Sequence, residues 1–472
     1  MSEPGSAGAP PPAETGPSSP SAGATEPAAP GTGLGTSVAM LTGARLVAVL
    51  AQFAAGVLAA RLLQPGPLGA ASVGLSVGWV LAIVANGGLN ISAIYYLGRR
   101  PQQAHLLVRT LMPLLGVALV IAAVLPVLLT PIVGPLTLHR SGWVDLPLFA
   151  AAGLLAAGTV GYEVAGAVLL GVHDRRGYIV GDLVRSVATL AAVGLLLAGP
   201  LRTATGYVLA TAAGAVLPGL WLAIRVRRRL GPLRPRWDRG FNREALRTGL
   251  TGQASNVLTF LNLRLDTMLV PAFVGLGAAG VYFVATRVSE VLAQLSNAAA
   301  AMLFPHVAAA AARRATGTTE RVVRLTLVGT LLGGVVLAGC SGIVLNLVFG
   351  AAYRSGTMSL IIMVAAMLPL AFGRVLAADL KGRGRVGVVS IAAGAGAVIT
   401  VAADVALLPI WGIAGAAVAS VLAYAVTAVM LAVAYRRVTG AALSRLCPRP
   451  ADVVDLGRLV RRRLPRGRTA PA

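Results

Sequence analysis

The sequence predicts an all-α integral membrane protein with about twelve transmembrane helices. Three observations carry this. The 472 residues are 56% hydrophobic and only 12% charged, against about 25% charged in a soluble domain. Long apolar runs recur along most of the chain, each near the ~20 residues that cross a ~30 Å hydrocarbon core. The basic residues collect in the short gaps between those runs, as membrane topology demands. A closed barrel is the other way to span lipid. It would read as short alternating segments, and none are seen.

Residues 1–36 are rich in Pro, Ala, Gly and Ser and hold three glutamates and no basic residue. Such a segment cannot bury a core and is expected to be disordered. It has no positive stretch before an apolar one, so it does not read as a signal peptide. Six apolar runs follow, at 39–62, 67–90, 107–132, 146–171, 178–199 and 204–224. Together they make a first six-helix half, 37–224. An arginine-rich connector occupies 225–247. Six further runs lie at 249–274, 277–304, 322–349, 357–380, 386–408 and 412–435, in a second half spanning 248–437. Breaks at Gln64–Pro67 and Gly275–Leu276 mark helical hairpins. The basic tail, 438–472, contains a stretch, Leu456–Leu464, suited to lie along an anionic leaflet or to stay solvated. Leu-Gly-Ala-Ala at 68–71 recurs at 276–279, each time opening the second helix of its half. An even number of spans per half would make the two repeats parallel.

Charge tests the division. With both termini in the cytoplasm, 31 of the 40 basic residues fall on cytoplasmic segments, and only Arg61, Arg140, Arg202 and Arg354 fall outside. A missed helix would invert every later loop and mix the two sets. The net charge of +24 is therefore read as topology, and nucleic acid is not expected as a partner. The chain is expected in the cell membrane as a multi-pass protein.

Several chemistries are absent. The only lysine, Lys381, follows Leu380, so there is no phosphate-binding Gly-x4-Gly-Lys-Ser/Thr loop. There is no His-Glu-x-x-His and no Cys-x-x-Cys; Cys340 and Cys447 read as unpaired thiols, and no metal or cofactor is expected. External loops are short, which argues against an enzyme working outside the membrane.

Charges at bilayer depth cost roughly 2.5–3.5 kcal/mol each on insertion scales and usually face a bundle interior or a wet cavity. Arg45, Glu163, Asp182, Arg185, Arg264, Asp266, Arg287, Glu290, Arg374, Asp379 and Asp404 lie within the apolar runs. Arg374 and Asp379 stand near the cytoplasmic boundary and suit local pairing. Arg264 and Asp266 in the seventh run, and Arg287 and Glu290 in the eighth, fall at similar depth on adjacent helices. They form either a buried network that holds two helices together or a cationic site for phosphate, since guanidinium stays charged and binds phosphate bidentately. Arg287 with Glu290, and Asp182 with Arg185, are at i,i+3 and could pair within a helix. Arg45 is the matching candidate in the first half; Glu163, Asp182 and Arg185 are secondary ones. Gln253, Asn256, Asn262, Gln294 and Asn297 suggest a wetted interior, and Asn86 and Asn90 suit helix caps.

Three stretches resemble one family. ARLLQPGPLGAASVGLSVGWVLAIVANGGL (60–89) is similar to the first hairpin of the polysaccharide-biosynthesis flippases of the multidrug/oligosaccharidyl-lipid/polysaccharide (MOP) exporter superfamily. LNLRLDTMLVPAFVGLGAAGVYFVATRVSEVLAQLSNAAAAMLFPHVA (261–308) is similar to that family's seventh and eighth helices, and LPIWGIAGAAVASVLAY (408–424) to the opening of its twelfth. The family's usual Asn-Arg-Ile-Asp is here Leu263-Arg264-Leu265-Asp266. Arg264 and Asp266 carry over, and an asparagine role does not. The resemblance implies two six-helix lobes around a central cavity that opens alternately to each side. It also implies a polyprenyl-pyrophosphate-linked oligosaccharide as cargo, for cell-surface polysaccharides such as lipopolysaccharide or exopolysaccharide, with the lipid chain left in the bilayer. On this reading Arg45, Arg264 and Arg287 meet pyrophosphate, Asp266 and Glu290 tune or gate the site, a coupling cation (H+ or Na+) is a candidate partner, and synthesis enzymes are candidate contacts. A cation-coupled multidrug exporter, a membrane component of a glycan polymerase, and a scaffold acting through the basic tail are the alternatives.

Overall fold

A computed structural model describes residues 33–138, 144–309, 312–452 and 454, with side chains from residue 47 onward except 309, 312 and 313. The N-terminal segment to residue 32 and the tail from 455 lie outside the described residues. Residues before Ala44 form a unit of their own, and the two lobes belong to the second unit, from Ala44 onward.

Every described element is helical, and ten helices are long and apolar enough to cross a membrane. The first half holds α1 (Gly33–Leu63), α2 (Pro65–Asn86), α3 (Leu89–Arg99), α4 (Ala104–Leu128), α5 (Thr130–Leu138), α6 (Leu146–Gly171), α7 (Arg175–Ala198) and α8 (Ala204–Leu230). The second holds α9 (Arg239–Asn262), α10 (Leu265–Val274), α11 (Leu276–Ala309), α12 (Ala312–Gly339), the single turn α13 (Ser341–Ile343), α14 (Thr357–Gly382) and α15 (Val386–Thr439). Gly231–Asp238 is the only non-helical part of the basic connector, because α8 and α9 both continue into it.

Side-chain oxygens fix three of the starts. Asp174 accepts from Gly177 N at 3.0 Å, Thr203 from Gly206 N at 3.1 Å and Asp238 from Phe241 N at 3.0 Å, each satisfying an amide the first turn would leave bare. The 54 residues of α15 would run ~80 Å as one straight rod at ~1.5 Å per residue. Gly412, at φ 55 and ψ −136, breaks it instead; only glycine takes that backbone without strain. The second apolar run is also interrupted. It breaks after Asn86 and resumes as α3, and Asn86 spans the gap, accepting from Asn90 N at 3.3 Å.

Hydrophobic attraction is weak between helices in lipid, so packing of small residues holds them together. In the first half α6 packs on α2, α4 and α8, and α7 on α8; in the second α14 packs on α11, α12 and α15. The halves meet chiefly through α2 and α11. There one apolar cluster contains residues of both, including Leu68, Leu75, Phe149, Val281, Phe283 and Tyr353. Towards the arginine-rich ends the cores separate, one around Tyr96, Leu107 and Leu169, the other around Leu303, Leu376 and Tyr435. The two lobes share one apolar core at one end and keep separate cores at the other, where they still touch: α9 packs on both α3 and α15, a methyl group on Gly88 would overlap the Gly249 carbonyl, and Ser92 Oγ donates to the Ala245 carbonyl.

The joined end uses a glycine of the first Leu-Gly-Ala-Ala, Gly69, and the glycine that follows the second, Gly280. A methyl group on Gly69 would overlap the Leu276 carbonyl, and one on Gly280 would overlap the Pro65 carbonyl. The two hairpin tips therefore touch reciprocally, backbone on backbone. Tyr353 Oη donates to the Ala60 carbonyl at 2.8 Å and Arg61 to the carbonyls of Leu347 and Val348, which closes the same end.

Candidate functional site

Two adjoining chambers lie between the lobes. The smaller, of about 200 Å³, is lined by Phe53, Trp79, Tyr207, Phe283, Arg287 and Glu290 among others. The larger, of about 780 Å³, is lined by Asn90, Tyr162, Glu163, Tyr178, Asp182 and Asn297 among others. Val49, Gln52, Arg185 and Gln294 line both, so the two adjoin. Their lining comes from α1, α2, α3, α6, α7 and α8 of the first lobe and chiefly from α9 and α11 of the second.

The second-lobe wall is cationic. Arg264 Nη1 stands 3.2 Å from Glu290 Oε1, and Arg287 Nη1 stands 3.0 Å from Glu290 Oε2. One carboxylate thus serves two guanidiniums. Both are stacked near Trp79, at 5.2 Å for Arg264 and 4.7 Å for Arg287, with Phe260 and Phe283 completing the aromatic frame at 5.7 and 5.0 Å. A ring face stabilises a cation without satisfying its N–H donors. Arg264 Nε and Arg287 Nη2 are buried and have no hydrogen-bond partner among the described residues. Buried donors left unmade are costly, and these two guanidiniums retain hydrogen-bonding capacity within the cluster. Arg374 lies beside it, donating to Asn297 Oδ1 at 2.8 Å.

The first-lobe wall brings two carboxylates and an arginine to the larger chamber among the described residues. Asn86 Nδ2 donates to Glu163 Oε2 at 2.8 Å, and Tyr162 Oη to Asp182 Oδ1 at 3.4 Å. The Arg185 guanidinium stacks 4.7 Å from the Tyr162 ring centre and lies within electrostatic reach of Glu163. All three secondary candidates therefore face one chamber.

Asp266 does not join the arginines. α9 ends at Asn262 and α10 begins at Leu265, and this break turns Asp266 into the second-lobe core, 1% exposed. There it accepts from Tyr282 Oη at 2.6 Å, Ser420 Oγ at 3.2 Å and Thr267 N at 2.7 Å. Asp404 lies within electrostatic reach of both Asp266 and Tyr282. It is fully buried, and neither carboxyl oxygen has a partner among the described residues. One turn before it, Thr400 Oγ1 donates to Asn262 Oδ1 at 2.6 Å. Four α-helical segments, α9, α10, α11 and α15, supply this second polar centre.

Of the residues singled out from sequence, Arg264, Arg287 and Glu290 come together as one cluster, and Glu163, Asp182 and Arg185 as another. The side chain of Arg45 lies outside the described residues. Asp379 pairs locally, with Arg383 Nε at 2.6 Å and Thr319 Oγ1 at 2.6 Å. Sequence reasoning missed Trp79, a single aromatic in an apolar run whose position opposite α9 and α11 no local pattern reveals. It also left Asp404 without its companion Asp266.

The chain matches the model of the family described as "Polysaccharide biosynthesis protein" over residues 34–311. No curated protein matches it in sequence. Solved structures share its fold. An inward-facing multidrug resistance MATE family transporter of the MOP superfamily aligns with TM-score 0.67 and 17% identity, over 83% of this chain and 94% of that one. The lipid II flippase MurJ in an inward closed conformation aligns with TM-score 0.70 and 13% identity, over 89% and 90%. A MOP superfamily transporter from Pyrococcus furiosus aligns with TM-score 0.57 and 16% identity, over 84% and 93%. A two-lobed, all-helical, multi-pass membrane protein matched by that family model over more than half its length, the chain belongs to the polysaccharide biosynthesis protein family.

Proposed function

We propose that the protein is a flippase that moves a polyprenyl-pyrophosphate-linked oligosaccharide from the cytoplasmic to the external leaflet by alternating access. It has twelve spans when Val47–Leu63 is counted as one and α15 is divided at Gly412. Both termini are cytoplasmic, the Pro/Ala/Gly-rich head precedes the first lobe, and the basic segment 225–247 joins the lobes. The observation that carries the reading is the Arg264–Glu290–Arg287 cluster over Trp79, with its unmet guanidinium donors. A glycan in hydrocarbon would lose the hydrogen bonds its hydroxyls make to water. A wet chamber removes that barrier, and charge-assisted bonds to phosphate are worth roughly 1.5–3 kcal/mol each. The fold shared with a lipid II flippase supports the same class of cargo.

Alternating access needs a driving force. Asp266 and Asp404 on facing helices, buried together away from the chamber, have the chemistry to take a coupling cation, H+ or Na+, when the second lobe is exposed to one side. Asp404→Asn is expected to slow transport about tenfold and abolish its dependence on the driving ion, within the range of typical coupling energies. Retention of the ion dependence would exclude this centre.

The test of the main reading is accumulation of lipid-linked sugar on the cytoplasmic leaflet of the host after Arg264→Ala or Arg287→Ala, with membrane insertion verified. Unchanged sidedness of the glycan lipid would overturn it. The carboxylates Glu163 and Asp182 favour one second reading, a cation-coupled multidrug exporter, since they suit organic cations. Energy-dependent efflux of such dyes, abolished by Glu163→Gln, would select it.

A further inference from the structure

Ion pairs in this protein come in two kinds. The carboxylates of Asp174, Asp379 and Asp452 are 3%, 0% and 7% exposed beside their arginines. Each also accepts from a backbone or hydroxyl donor, namely Gly177 N, Thr319 Oγ1 and Arg449 N. Glu290 differs on both counts. Its side chain is 28% exposed and lines the smaller chamber. Among the described residues it pairs with Arg264 and Arg287, and Arg374 lies within electrostatic reach. No backbone amide or hydroxyl among the described residues anchors it.

Each oxygen of Glu290 faces a different guanidinium, at 3.2 and 3.0 Å. A phosphate oxygen makes the same kind of charge-assisted bond. Glu290 therefore stands where an anionic cargo would bind. A pyrophosphate has more terminal oxygens than a carboxylate, so it has acceptors to spare for Arg264 Nε and Arg287 Nη2, which Glu290 leaves without a partner. That favours exchange when cargo enters. The displaced side chain has a resting place. Gln294 is its i,i+4 neighbour on α11, lines the same chamber, and carries an amide that can donate to a carboxylate. Return is favoured as well, because a group tethered beside its partners acts at a high effective concentration.

We infer that Glu290 is a built-in competitor of the cargo, holding the arginine pair while the chamber is empty, yielding to pyrophosphate on loading and displacing it on release. This rests on the flippase reading. A cationic site without such a group would grip the pyrophosphate as firmly at the exit as at the entrance, and uniformly tight binding does not speed a cycle. Glu290 lowers the affinity of the site and hastens departure.

The full chain in lipid nanodiscs can be titrated with undecaprenyl pyrophosphate, and transport read as lipid-linked sugar retained on the cytoplasmic leaflet of the host. Glu290→Gln keeps the shape of the side chain and removes its charge. It is expected to bind about tenfold more tightly, the size of one charge-assisted hydrogen bond no longer contested. The gain should lie in slower dissociation, and transport should slow several-fold. A carboxylate that only braces the two arginines predicts weaker binding on its removal. Affinity at or below the parent's in the inserted variant therefore overturns the inference, and so does tighter binding with transport at the parent's rate. Glu290→Asp keeps the charge but draws it back from both guanidiniums, and should bind about threefold more tightly than the parent because attraction falls with distance. If Glu290→Gln fails to insert, Glu290→Asp decides alone, and affinity at or below the parent's overturns the inference. Failure of undecaprenyl pyrophosphate to bind the parent overturns the flippase reading and the inference together.

Discussion

The two walls of the cavity carry different charged groups. On the second lobe two arginines, Arg264 and Arg287, hold one carboxylate, Glu290. On the first lobe Glu163, Asp182 and Arg185 line the chamber among the described residues. The hairpin tips meet backbone on backbone at Gly69 and Gly280, while the charged groups on the two walls differ. On the proposed flippase reading, a lipid-linked glycan, anionic at the phosphates and hydroxyl-rich beyond them, would meet both kinds of wall.

The strongest way to break the contrast is to make the walls alike. Arg287→Glu turns the second-lobe wall into a net anionic one and faces Glu290 with a second carboxylate. Binding of undecaprenyl pyrophosphate to protein in nanodiscs is expected to fall by about a hundredfold or more, because two charge-assisted contacts of roughly 1.5–3 kcal/mol are removed. A fall below about threefold, at the low end of what one cation–ring contact supplies, would show that phosphate is held elsewhere. A milder change sharpens the contrast by keeping the charges and removing their support. Trp79→Leu leaves Arg264 and Arg287 without their shared ring, and the same affinity should weaken about three- to thirtyfold, the equivalent of ~0.5–2 kcal/mol. The outcome that would discount Trp79 is an affinity matching the parent's. The smallest effect is expected at a paired carboxylate outside the cavity. Asp174 accepts from Arg225 Nε at 2.7 Å and lies 3.2 Å from Arg229, and the Arg225 hydrogen bond is the main cause holding its carboxyl below the usual range. A lowered carboxyl stabilises the fold above its ordinary titration range, and that contribution is lost as pH falls through the lowered value. Asp174→Asn should therefore reduce thermal stability by under about 1 kcal/mol near neutral pH, since Arg225 is more than a third exposed. The difference from the parent should vanish in strong acid. A transport defect at normal protein level would give this pair a role that the comparison denies it.

Much of the architecture is legible in the amino-acid sequence alone. Apolar run length and arginine position mark the helices, because lipid tolerates little else. The hairpin breaks at Gln64 and Gly275 are found where expected, with φ 66 and φ 98. The cluster of Arg264, Arg287 and Glu290 follows from depth on adjacent helices. Asp266 does not follow from that argument. Two residues apart on a helix already means nearly opposite faces, and the break at Leu263–Arg264 turns it further, towards Tyr282 and Ser420. Trp79 and the nearness of Asp404 to Asp266 depend on contacts between distant parts of the chain, which no local spacing encodes. The breaks inside the second and seventh runs are hidden for another reason. Their flanks stay apolar, so hydropathy passes over Gly87–Gly88 and Leu263 without a mark.

The reciprocal touch of Gly69 and Gly280 has an electrical consequence. A membrane at 100 mV places about 2.3 kcal/mol on every unit charge that crosses it, and a carrier with a water-filled interior invites ions to slip through beside the cargo. At the joined end the insulation is peptide laid on peptide at Gly69 and Gly280, with Tyr353 and Arg61 hydrogen-bonded across it. On the proposed alternating-access reading such a contact would part and reseat as a unit, sealing the charged interior on that side.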